Sequence, residues 1–388
     1  MCCSSDPALM PARVFVRPTD RRFQDSCRRW QGVPSIEVTP GGRVFVDFYT
    51  GQAAEQGGNF LMLCVSGDGG RTFCSCELVV EHPDPACRIY DPCLWISPKG
   101  ELWVTYNQAR GFNDCRSGVW AVVCPDPDAD RLEWAEPRRI ANGIMMNKPL
   151  VTSKGDWLFP CAIWRDECGA FPTERHGLEA EQFPNVYASS DEGRHIALRG
   201  HGDVPNRSFD EHMLVEKKDG TLWMLVRTFD GIGECFSFDG GKTWTPGQKS
   251  HIDGPCSRFH IRRLRSGRLL MINHADFRER IDLENIMAQG NVKSWRGRTN
   301  LTAMLSEDDG ATWPYSLLLD ERNDAAYPDA KEGPDGYIYV TYDWERVRQR
   351  EILLAKFTEQ DILNGALSSP DGALRVLVNK ALGQPDVE

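Results

Sequence analysis

The chain has 388 residues with a formal net charge of −11, 41% hydrophobic and 26% charged side chains. That is the balance of a folded, soluble protein rather than a disordered tail, and 56 acids against 45 bases leave no electrostatic footprint for nucleic acid. No apolar run approaches the 18 residues of a membrane span, and the start MCCSSDPALMPARVF lacks the basic-then-apolar pattern of a secretory signal.

Twelve Trp, 35 Gly and 24 Pro, with few long helical periodicities, favour many short strands. A hairpin pattern, apolar strand–turn ending in Gly–apolar strand, recurs along the chain. It reads PSIEVTPGGRVFVDF at 34–48, PCLWISPKGELWVTY at 92–106, NKPLVTSKGDWLFP at 147–160 and HMLVEKKDGTLWMLV at 212–226. FHIRRLRSGRLLMIN at 259–273 and PDAKEGPDGYIYVTY at 328–342 complete the set. The aligned glycines, Gly42, Gly100, Gly155, Gly220, Gly267 and Gly336, lie 47–69 residues apart and supply the positive φ of a tight turn. Six such units suit four-stranded antiparallel blades around an axis, an all-β six-bladed propeller. One propeller domain over 1–388 is expected, its blades starting near 33, 91, 147, 211, 258 and 327. FTEQDILNG reads as a short helix capped by Thr358 and ended by Gly365, after EILLAKF has supplied outer strand of the last blade. A strand from the first 27 residues is expected to complete that blade and close the ring.

A second motif falls between the hairpins: SGDGGRTF at Ser66, SFDGGKTW at Ser237, SEDDGATW at Ser306 and a worn copy, SSDEGRHI, at Ser189. Asp68, Asp239 and Asp308 are acidic enough to suggest catalysis, but a turn whose Asp and Ser accept local N–H groups explains them. This is the Asp-box, and over about residues 28–360 the chain resembles the sialidase (neuraminidase) family of Asp-box, or BNR-repeat, propellers.

Propeller blades present the start of the innermost strand to a central funnel. Nine residues before each turn glycine stand Val33, Asp91, Met146, Glu211, Arg258 and Tyr327. Four of these six are polar or ionisable, which packing alone does not explain; a salt-bridge ring plugging the channel is the structural alternative. The resemblance gives them roles. Sialidases clamp a sugar carboxylate with three arginines and use a Tyr nucleophile polarised by a Glu, with an Asp as acid/base. Glu211 followed by Arg227, Arg298 before the fifth blade's Asp-box, and Tyr327 opening the sixth blade match that arrangement. Guanidinium forks suit a carboxylate, and a Tyr avoids the repulsion that a carboxylate nucleophile would meet there.

The chain also departs from the family. Gly32 stands where the first arginine of an Arg-Ile-Pro motif belongs; Arg28, Arg29 and Arg258 are the candidate replacements. The acid/base Asp is missing from the loop YTGQAAEQGGNFLML, where Glu55 is the only carboxylate and Asn59 lies near the expected place. An alternative acid or base is a water held between Gln31, beside Trp30, and His212; His260 is a weaker candidate. Asp91, Asn147 and Lys148 are expected to contact the glycerol and acyl-amino side of the sugar. The implied activity is exo-hydrolysis of terminal sialic acid or a related nonulosonic acid. The alternatives are a hydrolase or lyase acting on another acidic, uronate-type glycan, and a non-catalytic carbohydrate-binding propeller. An acidic glycan is the expected partner, with no nucleic acid, no membrane and no cofactor; no His spacing suggests a metal. The 14 cysteines include no CxxC pair and are read as thiols of a soluble, cytoplasmic enzyme of bacterial type, its oligomeric state open.

Overall fold

The structure, a computed structural model, describes residues 6–74, 76–165, 177–276 and 297–384. Six antiparallel sheets follow one another along the chain, each built outward from an inner strand. The inner strands are Gln31–Val38, Cys87–Ile96, Leu150–Val151, Arg207–Glu216, His260–Arg263 and Ala325–Glu332. Each turns back through its glycine into a second strand. The six turn glycines have φ between +81 and +87 and open space where a β-carbon would stand, so backbone conformation alone requires them.

Both faces of each blade press on a neighbour, which is why second strands such as VFVDFYT at Val44–Thr50 are buried throughout. The core is accordingly divided into wedges, one between each adjacent pair of blades. Ile36, Val46 and Phe48 of blade one meet Ile352 and Leu354 of blade six in one wedge. Trp95 and Trp103 of blade two meet Trp157 and Phe159 of blade three in another, edge to face.

The Asp-boxes turn between third and fourth strands. In each full copy the Ser hydroxyl bonds the Asp and accepts the N–H of the Gly four residues on, while the Asp accepts from Thr: Thr72 Oγ1 donates to Asp68 Oδ2 at 2.6 Å. Thr243 and Thr312 repeat that bond to Asp239 and Asp308, and in the worn copy His195 replaces the Thr beside Asp191. These bonds to Thr, Ser and backbone N–H groups hold the box carboxyls below their ordinary range. The box aspartates serve their own turns.

The ring closes differently from expectation. The strand from the N-terminal region, Arg13–Val16, pairs with Leu78–Glu81 on the outer edge of blade one, making that sheet five-stranded. Blade six is complete from its own chain, with Glu351–Thr358 third and Ala373–Lys380 outermost. Between those two lies the helix Glu359–Asn364, with Thr358 and Asp361 in a reciprocal capping box and Gly365 left-handed at its end. Closure falls instead to hydrogen bonds from side chains and backbone. Arg28 Nη2 donates to Asn379 Oδ1 at 2.7 Å, and Gln31 Nε2 donates to the carbonyls of Arg350 and Asn379. The backbone N–H groups of Leu382 and Gly383 complete the latch on Asp25 and Arg28.

A buried charge network seals the axis. Lys148 Nζ, from blade three, donates to the carbonyls of Ile36 in blade one (2.6 Å) and Leu94 in blade two (2.7 Å). It is ion-paired with Asp329 of blade six at 2.8 Å and Glu37 of blade one at 3.3 Å. Arg258 and His260 of blade five approach the other Asp329 oxygen at 3.8 and 3.1 Å. Burial opposes the Lys148 charge, yet Asp329 and Glu37 outweigh it and hold the ammonium above its ordinary value. Burial is likewise outweighed at Asp329, by Lys148 and His260, and its carboxyl lies well below the usual range.

Among the described residues no helix is long and apolar enough to cross a membrane, no cluster of metal-ligating side chains forms, and the cysteines are free thiols.

Lys148→Met removes the 2.8 Å partner of Asp329, leaving it His260 and Arg258, and leaves Glu37 to Lys331, and is expected to cost about 3–5 kcal/mol in urea unfolding at pH 7. Asp329 and Glu37 both titrate below their ordinary values in the fold. Their contribution is therefore present above the unfolded carboxylate value near pH ~4 and fades as pH falls below it, a decline that should be shallower in Asp329→Asn. A Lys148→Met protein as stable as the parent would contradict the hub.

Candidate functional site

Four inner strands share one distortion above the hub. Pairing with the second strand slips between Gly32 and Ser35, Tyr90 and Cys93, Asp210 and Met213, and Ala326 and Asp329. Within each slip one residue is left-handed: Val33 (φ +54), Asp91 (+45), Glu211 (+41) and Tyr327 (+57). A non-glycine residue there costs about 1–2 kcal/mol, and a bulge re-aims its side chain. The positions nine before the turn glycines are therefore structurally equivalent in blades one, two, four and six. Blades three and five have shorter inner strands, and Met146 and Arg258 precede them.

Glu211 and Tyr327 meet. The Tyr327 hydroxyl donates to Glu211 Oε1 at 2.9 Å, and Arg227 Nη1 donates to both, at 2.6 Å to the carboxylate and 2.8 Å to the phenol oxygen. Burial pushes the Tyr327 hydroxyl up to about 12 against the pull of Arg227, so at neutral pH it keeps its proton and offers it to Glu211. The guanidinium carbons of Arg298 and Arg346 lie 5.1 and 3.8 Å from the Tyr327 ring centroid.

Around this centre stand further polar groups. Glu55 reaches Arg346 at 3.3 Å and Arg88 at 3.7 Å. Arg88 is wholly buried between the rings of Tyr90 and Phe112, 3.8 and 4.5 Å from their centroids. Trp164 packs against Tyr90, Phe112 and Phe209 to form an aromatic wall. Several buried atoms here have no hydrogen-bond partner among the described residues: Tyr49 Oη, Glu211 Oε2, Trp164 Nε1 and both terminal nitrogens of Arg88. Such atoms are hydrogen-bonding capacity that a ligand or water can take up.

Residues 75–340 match the family model described as a BNR repeat-like domain. The chain belongs to that family. Comparison with curated proteins yields no match. Among solved structures this BNR repeat-like protein is similar to the Hadza microbial sialidase Hz136, with a TM-score of 0.64 at 16% identity over 88% of this chain and 68% of that one. It is also similar to the leech intramolecular trans-sialidase complexed with 2,7-anhydro-Neu5Ac, at 0.62 and 12% identity over 91% and 71% of the two chains. A protein of unknown function from Dyadobacter fermentans DSM 18053 gives 0.60 and 18% over 88% and 96%. At these identities the likeness is one of fold.

Of the residues singled out from the sequence of this BNR repeat-like protein, Glu211, Tyr327, Arg227 and Arg298 come together in the funnel, with Asp91 and Glu55 beside them. Trp30 packs on Tyr49, 4.7 Å between centroids, in the apolar cluster that also contains Tyr327. Others lie elsewhere. Gln31 and Arg28 belong to the ring-closing latch, and Arg29 lends its carbonyl to Arg350 nearby. His212 faces Asn185, its Nε2 2.8 Å from that carbonyl oxygen, and burial pulls it down to about 4, so it is neutral. Gln31 and His212 thus occupy separate environments and form no water-holding pair. Lys148, Arg258 and His260 are in the axial hub, held there by acids and carbonyls on neighbouring blades. Asn147 supports the site from beneath, donating to the carbonyls of Glu211 (2.7 Å) and His212 (3.1 Å) and accepting from Arg258 Nε (2.9 Å). Asn59 pins its own loop through Ala54 and Gln52.

Arg88, Arg346 and Tyr49 went unread in the sequence. A signal existed for Tyr49: it stands seven residues after its turn glycine, as Arg227 does, and pairs across to the residue before the bulge. Arg346 sits in a loop with no register to count.

Burial, reinforced by the nearby Glu55 and Glu211 charges, raises the Asp91 carboxyl to about 7 against Arg88. A raised value means the unfolded chain ionises first, so this group's contribution declines from pH ~4 until the folded group titrates near 7. Asp91→Asn should remove that decline, gaining on the order of 2–4 kcal/mol over the parent between pH 4.5 and 8 in urea unfolding. Parallel pH profiles for the two proteins would refute the shifted titration.

Proposed function

We propose that the protein is a glycoside hydrolase that removes a terminal sialic acid, or a related nonulosonic acid, from a glycoconjugate. The observation that carries this reading is the Tyr327–Glu211–Arg227 triangle, with every side at or under 2.9 Å. Its setting in a BNR repeat-like propeller, and its likeness in fold to proteins named as sialidases, support the same reading.

The chemistry follows from charge. A sugar whose anomeric carbon bears a carboxylate repels an anionic nucleophile, whereas a neutral phenol approaches it freely. Arg227 and Arg298 orient the carboxylate. Tyr327 Oη attacks the anomeric carbon as Glu211 takes its proton, and Arg227 stabilises the charge that passes between them. The bond to the leaving oxygen breaks as that oxygen takes a proton from Asp91, which is half-protonated near neutrality. Water then attacks the same carbon, giving its proton to Asp91, while the phenolate leaves and recovers its proton from Glu211. Glu55 instead faces Arg88 and Arg346, at 3.7 and 3.3 Å.

Incubation with a sialyl-oligosaccharide should release free sialic acid. Tyr327→Phe should lower kcat by at least about 10²-fold, and Arg298→Ala should cost about 2–5 kcal/mol in kcat/KM, with folding intact in both. An ultraviolet-absorbing unsaturated product from a uronate glycan would instead identify a lyase, and binding of sialylated glycans without turnover a lectin-like propeller.

A further inference from the structure

Gly32 is a glycine for a different reason from the turn glycines. Its φ lies outside the left-handed range, so no turn demands it. A β-carbon at Gly32 would instead stand 2.7 Å from Cδ, 2.8 Å from Nε and 2.9 Å from Cγ of Arg346. The side chain that blade one lacks is replaced in space by an arginine from the loop after blade six's second strand.

Arg346 is held in a definite orientation. Its Nε donates to Asp343 Oδ2 at 2.8 Å, and the same oxygen accepts the Val33 N–H at 2.8 Å, so one carboxylate joins the first blade to the last. The residue is 7% exposed. With Nε committed, the Nη1–Nη2 edge remains for a ligand. Nη1 makes a long 3.3 Å contact to Glu55, and Nη2 is buried with no hydrogen-bond partner among the described residues. A cavity of about 190 Å³ adjoins it, its charged lining made of Arg298, Arg346 and Arg348 with Asp324, Asp343 and Glu345. A guanidinium edge beside such a cavity fits a planar two-oxygen anion.

We propose that Arg346 completes the carboxylate-binding set from blade six, in the room that Gly32 provides. It acts with Arg227 and Arg298 in selecting substrates with a carboxylate next to the reacting carbon. The substrate carboxylate takes the Nη1–Nη2 edge and displaces Glu55 from Nη1. The proposal rests on the carboxylate-sugar reading above.

The test is calorimetric binding of 2,3-didehydro-2-deoxy-N-acetylneuraminic acid and its methyl ester, which removes the charge while keeping the sugar. The parent should prefer the acid by at least about tenfold. Arg346→Ala should lose most of that preference while binding the ester as before, and Gly32→Ala should lose it too, because its β-carbon evicts Arg346. Moving the group back, in the double variant Gly32→Arg with Arg346→Ala, should restore part of it. Thermal unfolding monitors each fold, and the double variant keeps the test decisive if a single variant unfolds. If Arg298→Ala loses the preference while Arg346→Ala or Gly32→Ala keeps it, Arg346 is not in the clamp, though the functional reading stands. If the parent shows no preference for the acid, the carboxylate reading falls and this proposal with it.

Discussion

Six blades are held to one axis by a single buried ammonium. Lys148 rises from blade three between carbonyls of blades one and two and carboxylates of blades one and six. Through Asp329 it reaches Arg258 and His260 of blade five, and through its neighbour Asn147 it reaches the backbone of blade four. Desolvating so many charges is expensive, and hydrophobic residues of equal volume could give comparable stability. Apolar side chains, however, would not fix the rotation and height of each blade. Among the described residues no strand or disulfide is shared between the first and last blades, and the buried charges and the Arg28–Gln31 latch set the register.

That register is what the site needs. Tyr327 stands two residues before Asp329 on the same strand, and Glu211 has its carbonyl held by Asn147 beside Lys148. The two side chains that meet at 2.9 Å are therefore each anchored within two residues of the hub network. Four left-handed residues, at roughly 1–2 kcal/mol each, persist at the funnel because the layer beneath over-determines them. Strain, hub and site form one stack along the axis, so a change in the hub reaches the site through geometry rather than through any direct contact with a ligand.

The sequence spoke most clearly where the chemistry was local. A turn needing positive φ asks for Gly, and an Asp-box carries its own hydrogen bonds, so the blade count and six-bladed fold could be read by spacing alone. Counting from the turn glycines also located Asp91, Glu211 and Tyr327, because a shared bulge preserves the register in their blades. The same counting misled at Arg258, Asn147 and Lys148. Blades three and five lack the bulge, and a position along the chain does not say whether a side chain rises to the funnel or sinks to the axis. His212 sits one residue from Glu211, and that single step turns it to another partner, while Gln31, two residues before Val33, is taken up by the latch. The N-terminal strand went to blade one rather than blade six because strand pairing is a tertiary choice that no local pattern encodes. Arg346 left only a trace, a glycine where the resemblance called for an arginine.

A net charge of −11 seems unsuited to an anionic ligand, and the funnel does not answer it with a simple excess of cations. Arg88, Arg227, Arg298 and Arg346 share the space with Glu55, Asp91, Glu211 and Asp343, four against four in formal charge. Burial alters the sum, since Asp91 is half-protonated near pH 7 and Asp343 is also raised above its ordinary value by burial. As Asp91 takes up its proton the arginines gain the majority within a few ångströms, while the surface charge is screened over about 8 Å. The remaining acids keep the site from being a naked cluster of buried guanidiniums, which desolvation would penalise heavily. Glu55 is the most dispensable of them, at 3.3 and 3.7 Å from its arginines and on a partly exposed loop. On the proposed reading an incoming carboxylate exchanges with Glu55 rather than adding to it, so anion binding costs little repulsion, and the overall charge of the protein need not favour it.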